Sequence, residues 1–266
     1  MGTSEAIVGA GPALVRVTPA QYLYADHWLT RTEWLLGAEA IKQLKKSRIL
    51  VAGLGGVGAY AAEMLARAGV GHLTLVDSDF ISLTNRNRQL LALESTTGKW
   101  KTEVMAARLR DINPQIEVEQ LTTYIDESTA HDVVSGRPLH FMVDAIDTLS
   151  PKIALIQAAI KQGIPLVSSM GAGAKRDATM VRLSDISKSY NCPLAFMLRK
   201  RLRKLGITKG FEAVFSIELP HPEAIIPCEE RNKKSQVGTI SYLPAIFGCV
   251  CAQAAIDRLL LEVSQK

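Results

Sequence analysis

The sequence predicts an α/β protein built on a doubly wound, mostly parallel sheet, with an elaborated C-terminal α+β part. Three observations predict this architecture. Short apolar runs, typical of strands buried on both faces, alternate with segments of helical apolar spacing. A glycine-rich loop joins one such run to the helix that follows it. The 266 residues, 47% of them hydrophobic and 21% charged, can bury a large core, which excludes a disordered, collagen-like or coiled-coil protein.

Each predicted element has its own start or stop signal. Glycines follow the helices expected at 60–68 and 150–161, and a glycine readily adopts the left-handed conformation that ends a helix. Asn113-Pro114 stops the helix at 102–111, because the residue before a proline avoids helical geometry. Pro151 stands in the first turn of its helix, where a missing N–H is tolerated. The intervening strands are apolar or alternating, at 48–52, 72–77, 116–121, 139–146 and 165–169.

The second half of the chain is less regular. Beyond residue 175 we expect strands at 178–183 and 211–217, with a basic helix at 194–205 between them. The nearly uncharged segment Ile240–Ile256 has about the minimum length of a membrane span. Its proline, glycine and polar residues favour a buried helix of a soluble domain instead, and no membrane contact is expected.

The chain contains no linker-like stretch and no internal repeat. Its first residues lack the charged start and long apolar core of a signal peptide, so we interpret residues 1–25 as a flexible N-terminal arm. Residues 26–266 are then expected to form a single domain. Four cysteines are too few for a disulfide framework, which indicates a reducing compartment, the cytoplasm.

The cysteines also bear on two kinds of chemistry. Cys192, Cys228, Cys249 and Cys251 include no C-x-x-C pair, so no structural zinc is expected. An enzyme that forms a thioester needs an activated, accessible thiol. Neighbouring glutamates disfavour the thiolate of Cys228, whereas Cys192 lies near basic residues and is the better candidate. We assign a catalytic role to neither.

A glycine-rich loop predicts nucleotide binding. Gly53, Gly55 and Gly58 form a G-x-G-x-x-G motif between a strand and a helix, with Gly56 inside it. The first glycine permits a tight turn, the second lets a phosphate approach the backbone, and the third lets helix and strand pack closely. The helix N-terminus offers free N–H groups to the anion. Asp77 ends the next strand, and an acid at this place on a Rossmann-like sheet binds ribose hydroxyls. The alternative interpretation of the glycine-rich loop is a structural turn that binds no ligand.

Additional polar groups favour ATP over a dinucleotide. ATP carries more negative charge than the pyrophosphate of NAD, so a site that breaks its α–β bond needs cations and a metal-binding acid. Open α/β sheets bind ligands at the carboxyl ends of their strands, and such groups follow two of these ends: Asp79, Asn85, Arg88, Lys101 and Asp147. No residue set resembles a hydride-transfer site, which argues against an NAD-dependent dehydrogenase.

Several motifs together resemble the ThiF/MoeB branch of the ubiquitin-activating-enzyme-like adenylating fold. The resemblance covers about residues 31–260 and, within this branch, is greatest to the tRNA threonylcarbamoyladenosine dehydratases. The residues that carry it are Arg31-Thr-Glu33-Trp-Leu-Leu-Gly37, the GLGGVG loop at 53–58, Asp77-x-Asp79, Asn85-x-x-Arg88-Gln89, Gly98-x-x-Lys101, Asp144-Ala-Ile-Asp147, Gly171-Ala-Gly173, Val214-Phe-Ser216-Ile-Glu218 and Gly238-Thr-Ile-Ser241-Tyr-Leu-Pro244.

The resemblance implies a role for each matched site residue. The loop at 53–58 would hold the triphosphate, Asp77 would bind the ribose, and Asp79 would belong to the same ATP site. Asp147 would coordinate Mg²⁺. The phosphates would be neutralised by Asn85, Arg88 and Lys101.

The resemblance also implies a homodimer. In relatives the arginine at the position of Arg31 acts across the dimer interface, so Arg31 is expected to serve the ATP of the second subunit. The nucleotide-binding part would span about 26–170 and the substrate part about 171–266.

In these dehydratases the substrate is a threonylcarbamoyl group on the adenosine beside a tRNA anticodon. ATP converts its carboxylate to an acyl-adenylate, and an atom of the same side chain closes a ring. A tRNA partner would account for the segment Lys188–Lys209, which has seven basic and no acidic residues, although a solvated helix face is the alternative. Cysteine-desulfurase proteins of a sulfur-transfer system are further candidate partners. The residues expected to bind tRNA phosphates are Arg199, Lys200, Arg201, Arg203 and Lys204.

Two other functions stay open on sequence alone. An adenylyltransferase that activates the C-terminus of a small sulfur-carrier protein would use the same site, although the missing C-x-x-C pairs count against it. A non-enzymatic nucleotide-binding scaffold would be expected to lack Arg88, Lys101 or Asp147, and all three are present.

Overall fold

The computed structural model describes residues 27–230 and 233–261, so the predicted arm at 1–25 lies outside the described residues. The helices are α1 Thr30–Leu36, α2 Ala38–Lys46, α3 Gly58–Arg67, α4 Lys101–Ile112, α5 Ala130–Val134, α6 Leu149–Lys161, α7 Pro193–Lys204 and α8 Tyr242–Leu260. The strands are β1 Arg48–Ala52, β2 His72–Val76, β3 Glu117–Leu121, β4 Phe141–Asp144, β5 Leu166–Ser169, β6 Val181–Asp185, β7 Glu212–Ser216, β8 Ile225–Glu230 and β9 Lys233–Val237.

Seven strands form the main sheet, in the order β3-β2-β1-β4-β5-β7-β6. Neighbouring strands are parallel except for the antiparallel pair β6 and β7, which confirms the predicted doubly wound, mostly parallel sheet. From β1 the chain runs outward to β3 and then crosses to β4 on the other side. Doubly wound sheets bind ligands at such a reversal of strand order, outside the carboxyl ends of the strands. The expected site therefore lies where β1 and β4 end.

The sheet has two edges that matter for the site. We call the carboxyl edge the one where the parallel strands end, at Ala52, Val76, Leu121, Asp144, Ser169 and Ser216. The opposite one, where these strands begin, is the amino edge. β1 and β4 are almost entirely buried, because helices cover both faces of the sheet, and this explains their uniformly apolar sequence.

Some elements differ from the prediction. The strand expected at 178–183 begins instead at Val181, because the Asp177 side chain accepts a hydrogen bond from the Thr179 N–H and holds Ala178–Met180 in a 3-10 turn. The prediction also omitted α1, α2, α5, and the hairpin of β8 and β9. α1 has no buried residue, so it carries no apolar periodicity to be recognised.

The C-terminal helix α8 is long and apolar enough to cross a membrane by length and composition, but half of its apolar window is buried against the rest of the chain. Gly248 brings it into close contact with the start of α3. A Cβ atom at this position would lie 2.4 Å from the carbonyl oxygen of Val57 and 2.8 Å from the Cβ of Tyr60. The helix is thus part of the core and packs directly behind the glycine-rich loop.

Candidate nucleotide-binding site

Packing requires glycine at two positions of the glycine-rich loop, whereas a third position has open space beside it. Gly53 has a φ of +85°, and a Cβ there would lie 2.8 Å from the carbonyl oxygen of Ala145. A Cβ on Gly58 would lie 1.7 Å from the carbonyl oxygen of Gly53. Around Gly55, by contrast, a Cβ would meet only the Gln89 Nε2 atom, at 3.8 Å. The protein does not fill the space beside Gly55, which fits the close approach of a phosphate.

Asp77 fixes the shape of this loop. Its Oδ2 atom accepts a hydrogen bond from the Leu54 N–H at 2.6 Å, and Oδ1 accepts one from the Asp79 N–H at 2.8 Å. Burial raises the pKa of the Asp77 carboxyl, and the positive charge of Lys101 and the two N–H donors only partly offset this effect. The carboxylate thus joins the end of β2 to the loop after β1, at the position where a ribose is expected.

Lys101 is the cation closest to these acids. It is the first residue of α4, and its side chain is only 5% exposed. The Lys101 amine donates to Asp79 Oδ2 at 2.8 Å and lies 3.9 Å from Asp77 Oδ1. The sequence suggested an open cation, whereas the structure shows a buried ammonium held by two carboxylates. A buried charge in this arrangement acts on a phosphate with little screening by water.

Arg88 and Asn85 belong to a segment that packs against the glycine-rich loop at Gly56. The Arg88 guanidinium donates to the carbonyl oxygen of Thr84 at 3.1 Å and to Asn87 Oδ1 at 2.7 Å. A Cβ on Gly56 would lie 3.4 Å from Arg88 Cγ, so the arginine packs across the glycine-rich loop. Asn85 holds this segment in place, because its Oδ1 atom accepts a hydrogen bond from the Ser82 N–H.

Gln89 is a site residue that the sequence reasoning quoted in a motif but did not assign. Its Oε1 atom is buried and lacks a hydrogen-bond partner among the described residues, and its amide lies beside Gly55. An unsatisfied buried polar atom is costly, so a ligand that donates a hydrogen bond here would be stabilised. The open space at Gly55 beside Gln89, together with the cations Arg88 and Lys101, fits a nucleotide triphosphate.

Two acids lie at the carboxyl end of β4, Asp144 as its last residue and Asp147 three residues later, and their surroundings differ. Asp147 is exposed beyond the end of the strand, at the carboxyl edge. Asp144 is fully buried, and its Oδ2 atom accepts hydrogen bonds from the Lys152 amine at 2.7 Å and the Ser168 hydroxyl at 2.6 Å. Asp144 therefore cannot be a free metal ligand. Its Oδ1 atom accepts from the Ile146 N–H at 3.1 Å and holds the turn that leads to Asp147.

The residues that could hold Mg²⁺ are few. Among residues 27–230 and 233–261, no three His, Cys, Asp or Glu side chains are grouped as a metal site. Mg²⁺ commonly uses one or two carboxylates together with substrate phosphates and water. Asp147 is an exposed carboxylate close to the glycine-rich loop, because Ala145 contacts Gly53, and it suits this mode of binding.

Arg31 is not brought to this site within the chain. Leu29, just before α1, is 1% exposed and lies against Gly69, where a Cβ would be 2.6 Å from Leu29 Cδ1. Gly69 precedes β2 at the amino edge, whereas the glycine-rich loop lies at the carboxyl edge. The ten residues of α3 separate the two, a distance of about 15 Å at 1.5 Å per residue. A cavity of about 240 Å³ lined by Trp28 and Leu29 also lies at the amino edge, away from the nucleotide site.

The basic helix α7 presents most of its predicted cations to solvent. Leu198 and Leu202 face the core. Arg199 is partly buried and donates a hydrogen bond to the Ser189 hydroxyl, so it is engaged within the chain. The four exposed cations are Lys200, Arg201, Arg203 and Lys204.

None of the three described cysteine side chains combines exposure with an activated thiol. Cys192 is 5% exposed, which leaves it without the accessibility expected of a thioester-forming residue. Cys251 is fully buried, and burial raises the pKa of its thiol far above the usual value. Cys249 is exposed, and burial of its sulfur still raises the pKa of that thiol. The side chain of Cys228 lies outside the part of the structure that is described.

Nearly the whole chain is similar to known proteins. A family model described as the ThiF family matches residues 30–265. A tRNA threonylcarbamoyladenosine dehydratase of Bacillus subtilis is 39% identical over 252 residues, which cover 90% of this chain and 97% of the relative. A protein of the same name from Escherichia coli is 35% identical over 263 residues, covering 91% and 98%. A crystal structure of the E. coli tRNA N6-threonylcarbamoyladenosine dehydratase in complex with ATP matches with a TM-score of 0.82 at 33% identity, covering 95% of this chain and 100% of that one.

Proposed function

The chain belongs to the ThiF family, and from this premise we propose that it catalyses the ATP-dependent dehydration, by cyclisation, of N6-threonylcarbamoyladenosine next to the anticodon of tRNA. One observation carries the proposal. A buried ammonium, that of Lys101, stands beside a phosphate-binding glycine loop in a chain that matches named dehydratases over almost its whole length. The relatives from Bacillus subtilis and Escherichia coli are both named as dehydratases, which favours this activity over activation of a sulfur-carrier protein.

The reaction has two steps. A carboxylate oxygen of the threonyl group attacks the α-phosphorus of ATP, the α–β phosphoanhydride bond breaks, and pyrophosphate leaves. An atom of the same side chain then attacks the activated carbonyl carbon and loses its proton. AMP departs with the former carboxylate oxygen, so the net change in the nucleoside is the loss of one water. The second step is intramolecular, and proximity supplies much of its rate without a covalent enzyme intermediate.

The site residues supply charge and position. Negative charge grows on the β-phosphate as the α–β bond breaks, and the cations Lys101 and Arg88 stabilise it. Asp77 is placed to accept hydrogen bonds from ribose hydroxyls, since it stands at the end of β2 next to the loop. Gln89 offers its unsatisfied oxygen to a donor on the nucleotide. Asp147 would hold Mg²⁺, which supplies further neutralisation of the phosphates when bound.

The protein acts as a homodimer in this proposal. Arg31 lies at the amino edge, too far from the glycine-rich loop to reach ATP in its own subunit. Trp34 is 77% and Leu35 82% exposed on the same short helix, an apolar surface that a second subunit can cover. Arg31 would then add a third cation to the partner's site. We place the reaction in the cytoplasm, where ATP and tRNA are available.

Product formation distinguishes the candidate functions. The purified protein is incubated with ATP, Mg²⁺ and tRNA that carries threonylcarbamoyladenosine, and AMP and pyrophosphate are measured. We expect both products in equal amounts with the modified tRNA and none with tRNA that lacks the modification. Formation of AMP with a sulfur-carrier protein but not with the modified tRNA would favour the carrier-activating function instead.

A further inference from the structure

Two exposed aromatic side chains stand where α7 begins. Tyr190 is 52% exposed and Phe196 is 58% exposed. The Tyr190 ring makes an edge contact with Phe215 of β7, with ring centroids 5.9 Å apart, so its position is set by the sheet. Phe215 lies one residue before the end of β7, which places Tyr190 at the carboxyl edge, the same edge as the nucleotide site.

The turn that carries Tyr190 is held firmly. The buried amine of Lys175 donates to the carbonyl oxygens of Asn191, at 3.0 Å, and Ser216, at 2.8 Å. The Asn191 side chain donates to the carbonyl oxygen of Ile217 at 2.7 Å. Arg199 donates to the Ser189 hydroxyl from one side of α7. An aromatic ring on such a turn loses little conformational entropy when it binds a partner.

The direction of α7 separates the aromatic side chains from the cations. The helix starts beside the carboxyl edge, because Asn191 is bonded to the end of β7, and it then leads back to the start of β7 at the amino edge. At 1.5 Å per residue, Lys200 and Lys204 lie about 12 and 18 Å from Cys192, the residue that precedes the helix. The flat apolar groups are thus nearest to the site, and the positive charges are farther away.

We propose that Tyr190 and Phe196 stack on unpaired bases of the tRNA anticodon loop while the exposed cations of α7 bind phosphates farther along the same RNA. This inference rests on the proposed function and specifies how its substrate is held. Unpaired loop bases are recognised by stacking on aromatic side chains, and the backbone on either side of them is a row of negative charges. Along α7 the aromatic side chains come first and the basic side chains follow. The aromatic side chains would meet the loop bases, and the basic side chains would meet the phosphates of the adjoining stem.

The salt dependence of tRNA binding separates stacking from charge. Four variants are compared with the wild type: Phe196→Ala, Tyr190→Ala, the double charge variant Lys200→Glu/Arg203→Glu, and Leu205→Ala as an exposed apolar control beyond the other end of the helix. We expect Phe196→Ala and Tyr190→Ala to weaken tRNA binding about tenfold while leaving unchanged the slope of log K against log salt. The double charge variant should lower the magnitude of this slope by about 0.7–0.9 for each phosphate that it no longer neutralises. Leu205→Ala should bind as the wild type does.

Further measurements guard against a merely structural effect. Phe196→Trp and Tyr190→Phe, which keep a ring, should retain binding, and 2-aminopurine placed in the anticodon loop should be quenched by the wild type but not by Phe196→Ala. If the two alanine variants bind tRNA as tightly as the wild type, and the wild type dehydrates the modified tRNA, then the stacking proposal is wrong and the proposed function is unaffected. The stacking would also be overturned if these variants instead lost binding to vesicles of anionic phospholipid, or lost dimer mass in sedimentation, because the surface would then contact a membrane or a second subunit. A wild type that forms no AMP with the modified tRNA would fail the function itself.

Discussion

The Lys101 amine donates to Asp79 at 2.8 Å and lies 3.9 Å from Asp77, so one buried cation joins the two acids that follow β2. Asp77 in turn accepts a hydrogen bond from the loop residue Leu54. The same side chains therefore shape the glycine-rich loop and place a positive charge beside it. Loss of this charge should affect catalysis more than the fold, because Asp77 keeps its two backbone N–H donors and the side chain of Asp79 is 65% exposed to water.

Removal of the site cations should reduce turnover. Arg88→Ala and Lys101→Met are each expected to lower kcat for AMP formation by about 10²-fold or more, because each removes one group that stabilises the charged transition state. Lys99→Met is the matched control, since Lys99 is exposed and lies two residues away. Pyrophosphate release measures the rate, and circular dichroism measures folding. Folded variants that turn over at the wild-type rate would show that the site is wrongly assigned.

The glycines of the loop should separate stability from ATP binding. Gly58→Ala places a Cβ 1.7 Å from the Gly53 carbonyl oxygen and should lower the free energy of unfolding by about 3 kcal/mol. Gly55→Ala has room for its Cβ and should change that free energy by less than about 0.5 kcal/mol. It should nevertheless raise the KM for ATP about tenfold, because the methyl group occupies space needed by a phosphate. Urea denaturation and ATP titration test both; equal stability of the two variants would contradict the packing argument.

Arg31 should act in the partner subunit. Arg31→Ala and Lys101→Met are each expected to be inactive, and their heterodimer should regain about half of the wild-type activity, because one of its two composite sites has both cations. The control mixes Arg31→Ala with the double variant Arg31→Ala/Lys101→Met, in which no complete site can form. If verified heterodimers of the first pair stay inactive, Arg31 does not complete a shared site.

Glu63 should give the stability a dependence on acid pH. Burial alone would raise the pKa of Glu63, but hydrogen bonds from Arg108 and Arg67 outweigh it and hold this pKa below its ordinary value of 4.5. The folded protein thus binds this proton less readily than the unfolded chain, so the contribution is fully present above about pH 4.5 and is lost as the pH falls through the lowered pKa.

The measurement compares unfolding of Glu63→Gln with the wild type. At pH 7 we expect the variant to be less stable by about 1–2 kcal/mol, with the difference shrinking below pH 4. Glu39→Gln is the control, since the pair of Glu39 with Lys42 is exposed and should contribute little at either pH. A constant difference between Glu63→Gln and the wild type from pH 7 to pH 3 would contradict the assigned pKa.

The sequence allowed the parallel sheet to be predicted because strands buried on both faces have few polar residues. The strand β1 and the loop at 53–58 were therefore recognisable from local pattern alone. The burial of Lys101 could not be predicted in this way, because it depends on Asp79, which is 22 residues away along the chain. Helix α1 was also missed, since it is held by Leu29 on Gly69 rather than by an apolar face of its own.

The buried network of Asp144, Lys152 and Ser168 shows the same limit. A lysine one turn into α6 and a serine in the apolar strand β5 each look unremarkable in sequence, and only the fold brings both to Asp144. The weak signal was the polar residue Ser168 within a fully buried strand. This network fixes the turn that carries Asp147, which the sequence had singled out without its support.

The central claim is that the chain dehydrates a modified adenosine in tRNA at the expense of ATP, and nucleoside mass spectrometry tests it most directly. tRNA bearing threonylcarbamoyladenosine is treated with the protein and ATP, digested under conditions that preserve the cyclic product, and compared with a sample treated with the Lys101→Met variant. We expect the nucleoside to lose the mass of one water with the wild type, only when ATP is present, and to remain unchanged with the variant. An unaltered nucleoside after treatment with folded, ATP-binding wild-type protein would contradict the account.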